Sequence, residues 1–294
     1  MAAVVIQRQD RQKNVARALR SWFLCALALL CVAVATPRAQ ESAEAARTRT
    51  FDQLLDLYVR NGDVYYRAIK SERAKLDAFV SQLGSASIDG FSRDEQLAFW
   101  LNAYDALVLK TVADHYPIQG TSKVYPAKSI RQVPGAFERL PHRVAGRTVT
   151  LDQIEQTILP TFHDPRVYFA LGRGAVGSGR LRSEAFTAAR LEEQLADVAA
   201  ECVTRAQCIS IDRGTGKIAA SSIFSWRSKE FADAYADKAP AALATRSPIE
   251  RAVMAFVMPK LLGTEKEFIE KNTFQITYST FDWTLNDLTG RGGR

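Results

Sequence analysis

The sequence predicts an α+β fold, with a helix-rich N-terminal half packed on a small, largely antiparallel sheet in a single domain. Apolar residues recur at helical spacing through the first half, whereas short strand-like segments gather in the second half. No linker divides the chain beyond residue 50. The 294 residues are 47% hydrophobic and 24% charged, which is ordinary for a globular protein and excludes a disordered or collagen-like chain.

Helix signals open and close several segments. Ser92 and Glu95 form a capping box that starts a helix of about 22 residues, closed by Pro117. Thr150 and Gln153 form a second box, and Ser247 precedes a proline at a favoured helix start. The predicted helices therefore cover residues 51–58, 76–83, 92–115, 151–159 and 188–202, with another beginning at 248.

Strand signals are fewer. Residues 167–171 (VYFAL) predict a buried strand, and residues 209–211 and 217–219 flank a Gly-containing turn and predict a hairpin. Residues 274–278 predict a closing strand with Phe274, Ile276 and Tyr278 turned inward.

The N-terminus predicts export. The apolar run at 21–35 follows a basic stretch and is shorter than the roughly 20 residues that span a bilayer. With the small residues Ala33 and Ala35 at its end, it is typical of a secretory signal peptide, here residues 1–39, and an uncleaved anchor is the alternative. We expect a periplasmic or secreted protein without a stable membrane span after cleavage, a flexible lead-in at 40–49 and one globular domain at 50–290.

The net charge of +7 is concentrated in this leader. Residues 1–40 hold six basic residues and one acid, so the remainder has 33 basic and 31 acidic side chains, a net charge of +2. A charge that small predicts no nucleic-acid partner. Outside the leader only Cys202 and Cys208 remain, six residues apart, and an oxidising compartment permits a disulfide between them. Buried free thiols are the alternative.

Polar residues fall on the apolar faces of two predicted helices. At 100° per residue from Leu97, Asp105 lies at about 80° and Asn102 at about 140°, inside or beside the apolar sector. Glu155 likewise lies among apolar residues, with Arg166 as its nearest counter-charge, and Asp282 and Asn286 could join the cluster. A buried carboxylate must be paired, hydrogen-bonded or protonated, so these groups form either a satisfied structural network or a ligand pocket.

A glycine-rich loop follows the VYFAL segment. Residues 172–177 spell GxGxxG, but no helix follows directly and no alternating strands and helices surround it, so we predict no dinucleotide and no other cofactor. The loop is interpreted as flexible. Its basic residues Arg173, Arg180 and Arg182 either receive a carboxylate or phosphate, with Ser178 beside them, or are simply solvated. The three histidines lack ligand spacing, so no metal site is predicted.

Four motifs resemble a known family when they are taken in order. They are residues 97–105 (LAFWLNAYD), 151–155 (LDQIE), 164–171 (DPRVYFAL) and 281–286 (FDWTLN). Together they resemble the uncharacterised family catalogued as domain of unknown function 547, over about residues 50–290. The resemblance implies a domain type and frequent bacterial export, but no activity.

This chain departs from the family pattern. In the family, His stands at the position of Tyr168, Asn at that of Asp105, and Cys-Gly and Ser-Cys-Pro elements occupy the loop. Here the loop has Arg173-Gly174 and Ser178-Gly179-Arg180. If the family's Cys and His are catalytic, this chain has lost both. If they are structural, the loop has been rebuilt.

The leading functional expectation is an exported protein that binds a small polar or anionic ligand in a buried pocket between the long helix, the Glu155 helix and the VYFAL segment. One alternative is a hydrolase or transferase acting on cell-envelope material, with Asp105 or Glu155 as acid or base. A non-catalytic envelope scaffold is another. The candidate ligand-binding residues are Asn102, Asp105, Glu155, Arg166, Tyr168, Arg173, Ser178, Arg180, Asp282 and Asn286.

Overall fold

The computed structural model describes residues 42–289. From Glu44 onward the described residues form one compact unit. The expected signal peptide lies outside the described residues. No helix between residues 42 and 289 combines the length and apolar character that crossing a membrane requires.

Helices predominate and strands are short, which confirms the α+β prediction. The helices are α1 (Ala43–Tyr58), α2 (Tyr66–Ser71), α3 (Ala74–Ser85), α4 (Arg93–His115), α5 (Leu151–Gln153), α6 (Val167–Ala170), α7 (Leu191–Val203), α8 (Ser222–Trp226), α9 (Ser228–Tyr235), α10 (Pro248–Val257) and α11 (Gly263–Glu270). The strands are β1 (Val59–Arg60), β2 (Asp63–Val64), β3 (His142–Val144), β4 (Arg147–Val149), β5 (Ile209–Asp212), β6 (Lys217–Ser221) and β7 (Gln275–Ser279).

The strands form three small sheets. β1–β2 and β3–β4 are antiparallel hairpins that the sequence analysis did not predict. The predicted hairpin pairs β5 with β6, and β7 adds to β6 in parallel, with Ile218 opposite Ile276. The prediction that Tyr278 is turned inward is wrong, since this residue is 37% exposed.

The central helix is α4, as its apolar cover predicts. Its capping box is present, since Ser92 accepts from the Glu95 N–H and Glu95 from the Ser92 N–H. Residues 97–109 are all buried. The helix packs against α2 and α3. The same hydrophobic core extends to α6, α8 and α10, where the ring of Phe169 lies 4.9 Å from that of Phe224 and 5.7 Å from that of Phe256.

Two local predictions are wrong. Residues 167–170 of the VYFAL segment form the buried helix α6 rather than a strand. A short apolar run does not distinguish the two by periodicity, and here Pro165 and the Asp164 carboxylate, which accepts from the Arg166 N–H, favour a helical turn. Residues 43–49 belong to α1 rather than to a flexible lead-in, and Arg47 lies over the ring of Phe99.

The structure contains the Cys202–Cys208 disulfide, which joins the end of α7 to the residue before β5. The second capping box, Thr150 with Gln153, starts α5 as predicted. That helix continues as a π-helical turn, Ile154–Ile158, and a 3-10 turn, Leu159–Phe162.

Candidate functional site

Glu155 lies in a buried cluster of charged and aromatic side chains. It stands on the π-helical turn and is 7% exposed. Its Oε1 accepts hydrogen bonds from Arg173 Nη2 at 2.7 Å and Arg227 Nη2 at 3.1 Å. Its Oε2 accepts from the Tyr104 hydroxyl at 2.9 Å and Arg173 Nε at 3.2 Å. We call Tyr104, Glu155, Arg173 and Arg227 the core ion cluster.

The charges of this cluster fix the ionisation of Glu155. Burial alone raises the pKa of a carboxyl group, but Arg173, Arg227 and the Tyr104 hydroxyl together lower that of Glu155 to about 2. Glu155 is therefore ionised at neutral pH and has no proton to donate. Arg166, the counter-charge expected from the sequence, does not contact it.

The glycine-rich loop is packed rather than flexible. Arg173 is only 2% exposed, donates from Nη1 to the Tyr168 carbonyl at 3.0 Å, and donates its backbone N–H to Ser178 Oγ at 3.1 Å. At Gly179 a Cβ would lie 1.6 Å from the Phe169 carbonyl oxygen, so the close approach of α6 requires glycine. The solvated interpretation is thus wrong for Arg173.

Asp105 and Asn102 contact backbone groups at this loop and at a neighbouring segment. Asp105 Oδ1 accepts the Gly172 N–H at 2.8 Å. Burial raises the pKa of Asp105 to about 7, although the Gly172 N–H and the positive charge of Arg173 act against the shift. The side-chain amide of Asn102 donates to the Phe186 carbonyl and accepts the Phe186 N–H, each at 2.8 Å.

The remaining candidates are spread over other parts of the structure. Arg166 pairs with Asp164 and Glu192, each at 2.7 Å. Asn286 accepts from the Tyr66 hydroxyl and donates to the Gly62 carbonyl, so it links a terminal segment to the β1–β2 turn. Asp282 is exposed and accepts the N–H of Thr284.

The structure thus brings together five of the predicted residues and separates the others. Asp105, Glu155, Tyr168, Arg173 and Ser178 meet around the loop. Tyr168 contributes a ring that lies 4.3 Å from the Arg227 guanidinium, and its hydroxyl is 3.4 Å from Glu230. Asn102, Arg166, Arg180, Asp282 and Asn286 lie apart from them. Asn102, Asp105 and Glu155 line none of the three cavities found beside Arg180, beside Tyr168 and beside the disulfide.

Arg180 lies instead in a charged cleft of about 420 Å³. Every lining residue is charged or polar: Asp52, Asp56, Arg180, Arg182, Ser183, Glu184, Arg190 and Glu201. These side chains come from α1, from residues 180–184 of the loop and its continuation, from the residue before α7 and from α7 itself. We call this cavity the charged cleft.

Two further cavities are smaller. One, of about 10 Å³, lies beside the disulfide and includes Ser178 and Ser221 in its wall. The other, of about 140 Å³, has Tyr168, His163 and Glu230 in its wall. Within residues 42–289, no group of three or more His, Cys, Asp or Glu side chains is placed to hold a metal ion.

Sequence reasoning missed several partners. Arg227 and Tyr104 complete the core ion cluster, but neither stands out from its neighbours in the sequence. Asp52 and Asp56 are four residues apart, which places them on one face of α1. That spacing was the available signal, but it is equally typical of an ordinary solvated face.

Comparison with family models gives a match over part of the chain. Residues 88–203, from the approach to α4 to the end of α7, match the model of the family described as Protein of unknown function, DUF547. This confirms the resemblance over that segment, which is shorter than the span expected from the motifs. Neither curated proteins nor solved structures give a match.

Proposed function

We propose that the protein is exported and binds a small polar ligand in the charged cleft. The observation that carries the proposal is the cleft itself, a cavity of about 420 Å³ lined only by charged and polar side chains. Pockets for small molecules usually occupy about 300–1,000 Å³. The proposal keeps the ligand class expected from the sequence and Arg180 as a binding residue, but moves the site away from the Glu155 helix.

The core ion cluster is a poor place for a ligand. Both oxygens of Glu155 already accept two hydrogen bonds from protein groups, and Arg173 is almost completely buried. A ligand there would have to replace bonds that the protein already makes. In the charged cleft, by contrast, the Arg180 side chain is 38% exposed and accessible.

Two features support export. The leader at 1–39 has the order of segments of a signal peptide, and the Cys202–Cys208 disulfide suits an oxidising compartment. Expression of the full chain in a Gram-negative host, followed by fractionation and N-terminal sequencing, tests this. We expect a periplasmic or secreted product that begins close to residue 40, and a cytoplasmic product that begins at Met1 would refute export.

Ligand binding is tested by thermal-shift screening of small polar compounds, followed by calorimetry of the hits. Arg180→Gln should weaken binding of a hit about tenfold or more, because a charge-assisted hydrogen bond is lost. Arg213→Gln changes an exposed arginine in the β5–β6 turn and is the matched control. If no compound binds, or if both variants bind equally well, the charged cleft is not the site.

A second candidate is the hydrolase or transferase acting on envelope material, and one observation favours it. The pKa of Asp105 is raised to about 7, where a carboxyl group can both donate and accept a proton near neutral pH. Asp105→Asn should then abolish turnover of peptidoglycan fragments while the protein stays folded. Unchanged turnover in a folded variant would exclude Asp105.

A further inference from the structure

We infer that the ligand of the charged cleft is a zwitterion, such as a free amino acid or short peptide, with its ammonium group on Asp56 and its carboxylate on Arg180. This inference rests on the proposed binding function and specifies the ligand class of the same site.

Asp56 lines the charged cleft and lies along the chain between two contacts to its opposite wall. One turn earlier, Asp52 Oδ1 accepts the backbone N–H of Ala185 at 3.0 Å. Beyond the end of α1, Asn61 Oδ1 accepts from Arg180 Nη2 at 3.3 Å. Asp56 lies between these two attachments, on the same helix face as Asp52, so a small ligand there has Arg180 on one side.

The charged cleft offers a ligand both a negatively charged acceptor and a positively charged donor. Asp56 is exposed, and its carboxylate makes no hydrogen bond or ion pair with any residue from 42 to 289. Arg180 makes two bonds, to Asn61 and Glu201, and both are 3.3 Å long. Charge-assisted bonds are usually about 2.7–2.9 Å, so Arg180 is held weakly and can turn to a better acceptor.

The two other arginines of the cleft are already paired. Arg182 donates from Nε to Glu184 Oε1 at 3.1 Å, and its Nη2 bonds the same oxygen and lies 3.4 Å from Asp197 Oδ2. Its Nη1 has no hydrogen-bond partner within the described part of the chain, but that atom is buried away from solvent. Arg190 is paired with Glu184 at 2.7 Å, so Arg180 is the arginine that can most readily turn to a ligand.

A ligand with only one charge fits this arrangement less well. The lining holds four carboxylates and three guanidinium groups, so a simple anion meets surplus negative charge and leaves Asp56 unpaired. A simple amine leaves the weakly held donors of Arg180 unused. Only a ligand with both charges engages the free carboxylate of Asp56 and the guanidinium group of Arg180 together.

The experiment compares three matched probes by calorimetry on the exported protein: L-alanine, N-acetyl-L-alanine without the ammonium group, and L-alanine amide without the carboxylate. The dipeptide Ala-Ala and its N-acetyl and amide forms provide a longer set. We expect a zwitterion to bind at least tenfold more tightly than either blocked form, since each blocked form loses one charge-assisted bond.

Two variants locate the charges. Asp56→Asn should weaken the zwitterion about tenfold and leave the N-acetyl form unchanged, whereas Arg180→Gln should weaken the zwitterion and leave the amide unchanged. The control for Asp56→Asn is Asp233→Asn, which changes an exposed acid on α9 that is paired with Lys229. It should leave the affinity for every probe unchanged.

The outcomes separate this inference from the proposed function. If the N-acetyl forms bind as tightly as the zwitterions, or if another polar compound binds in the cleft and neither zwitterion does, the zwitterion assignment is wrong and the binding function stands. If no polar compound binds at all, the proposed function fails and the assignment fails with it.

Discussion

The core ion cluster and the charged cleft contain the same types of charged side chain, but those of the cluster are buried and those of the cleft are open to solvent. Arg173 and Arg180 are seven residues apart on one loop, yet Arg173 is 2% exposed and bonds Glu155 at 2.7 Å, whereas the Arg180 side chain is 38% exposed and bonds Glu201 at 3.3 Å. In the core, desolvation makes every partner obligatory. In the cleft, water compensates for a lost partner, so the same chemistry is free to exchange it for a ligand.

The largest effect should follow from breaking the core ion cluster. Arg173→Met keeps much of the side-chain volume but leaves Glu155 buried with one guanidinium group, and we expect a loss of about 3–5 kcal/mol in the free energy of unfolding. Urea denaturation at pH 7 measures it. Arg180→Met on the same loop is the matched control and should cost less than about 1 kcal/mol. Equal losses in the two variants would erase the distinction between the two regions.

Asp105 is buried without a directly bonded arginine among the described residues, and the pH dependence of stability tests what this burial costs. Its folded pKa of about 7 lies above the unfolded value, so its contribution to stability is fully present below about pH 4 and is lost as the pH rises to about 7. Asp105→Asn retains an oxygen for the Gly172 N–H and cannot ionise. We expect it to raise the free energy of unfolding by a few kcal/mol at pH 8 and to change little at pH 4.

The measurement for Asp105 is denaturant unfolding of both proteins from pH 4 to pH 8. The difference between them should grow from pH 4 to about pH 7 and then level off. A constant difference at all pH values would show that Asp105 does not titrate in the folded protein between pH 4 and pH 8.

The disulfide should contribute a smaller amount. Cys202 and Cys208 close a short loop, and its entropic contribution is about 2 kcal/mol. The Cys202→Ser, Cys208→Ser double variant should lose about that much relative to the oxidised protein. The reduced wild-type protein is the control, and if it unfolds at the same denaturant concentration as the oxidised protein, the bond adds no stability.

The smallest effect on stability is expected in the charged cleft. Asp56→Asn changes an exposed carboxylate that has no partner in residues 42–289, so the free energy of unfolding should change by less than about 0.5 kcal/mol. A larger loss would show that Asp56 supports the fold, and its proposed role in ligand binding would then need a different residue.

Local patterns allowed much of the fold to be predicted. The capping boxes at Ser92 and Ser247 start α4 and α10 because their bonds lie within four residues. The β5–β6 hairpin and the disulfide also follow from close neighbours in the sequence. The β1–β2 hairpin was missed because it has only two residues in each strand, and VYFAL was misassigned because a short apolar run fits a buried helix as well as a strand.

The candidate site was less predictable. The apolar faces of α4 and the following turn correctly predicted that Asn102, Asp105 and Glu155 are buried. They did not reveal the partners, because Arg227 lies 72 residues from Glu155 in the chain. The charged cleft was missed for the same reason, since Asp52 and Asp56 on α1 face residues 180–201 only after folding.

The sequence by itself determined where α4 and α10 begin, that α4 is the central helix and that Asn102, Asp105 and Glu155 are buried, since these depend on spacing within a few turns. Only the tertiary structure decided which arginine neutralises which carboxylate. That choice depends on how far each side chain is removed from water, and in this protein the desolvation is imposed by segments distant in the chain.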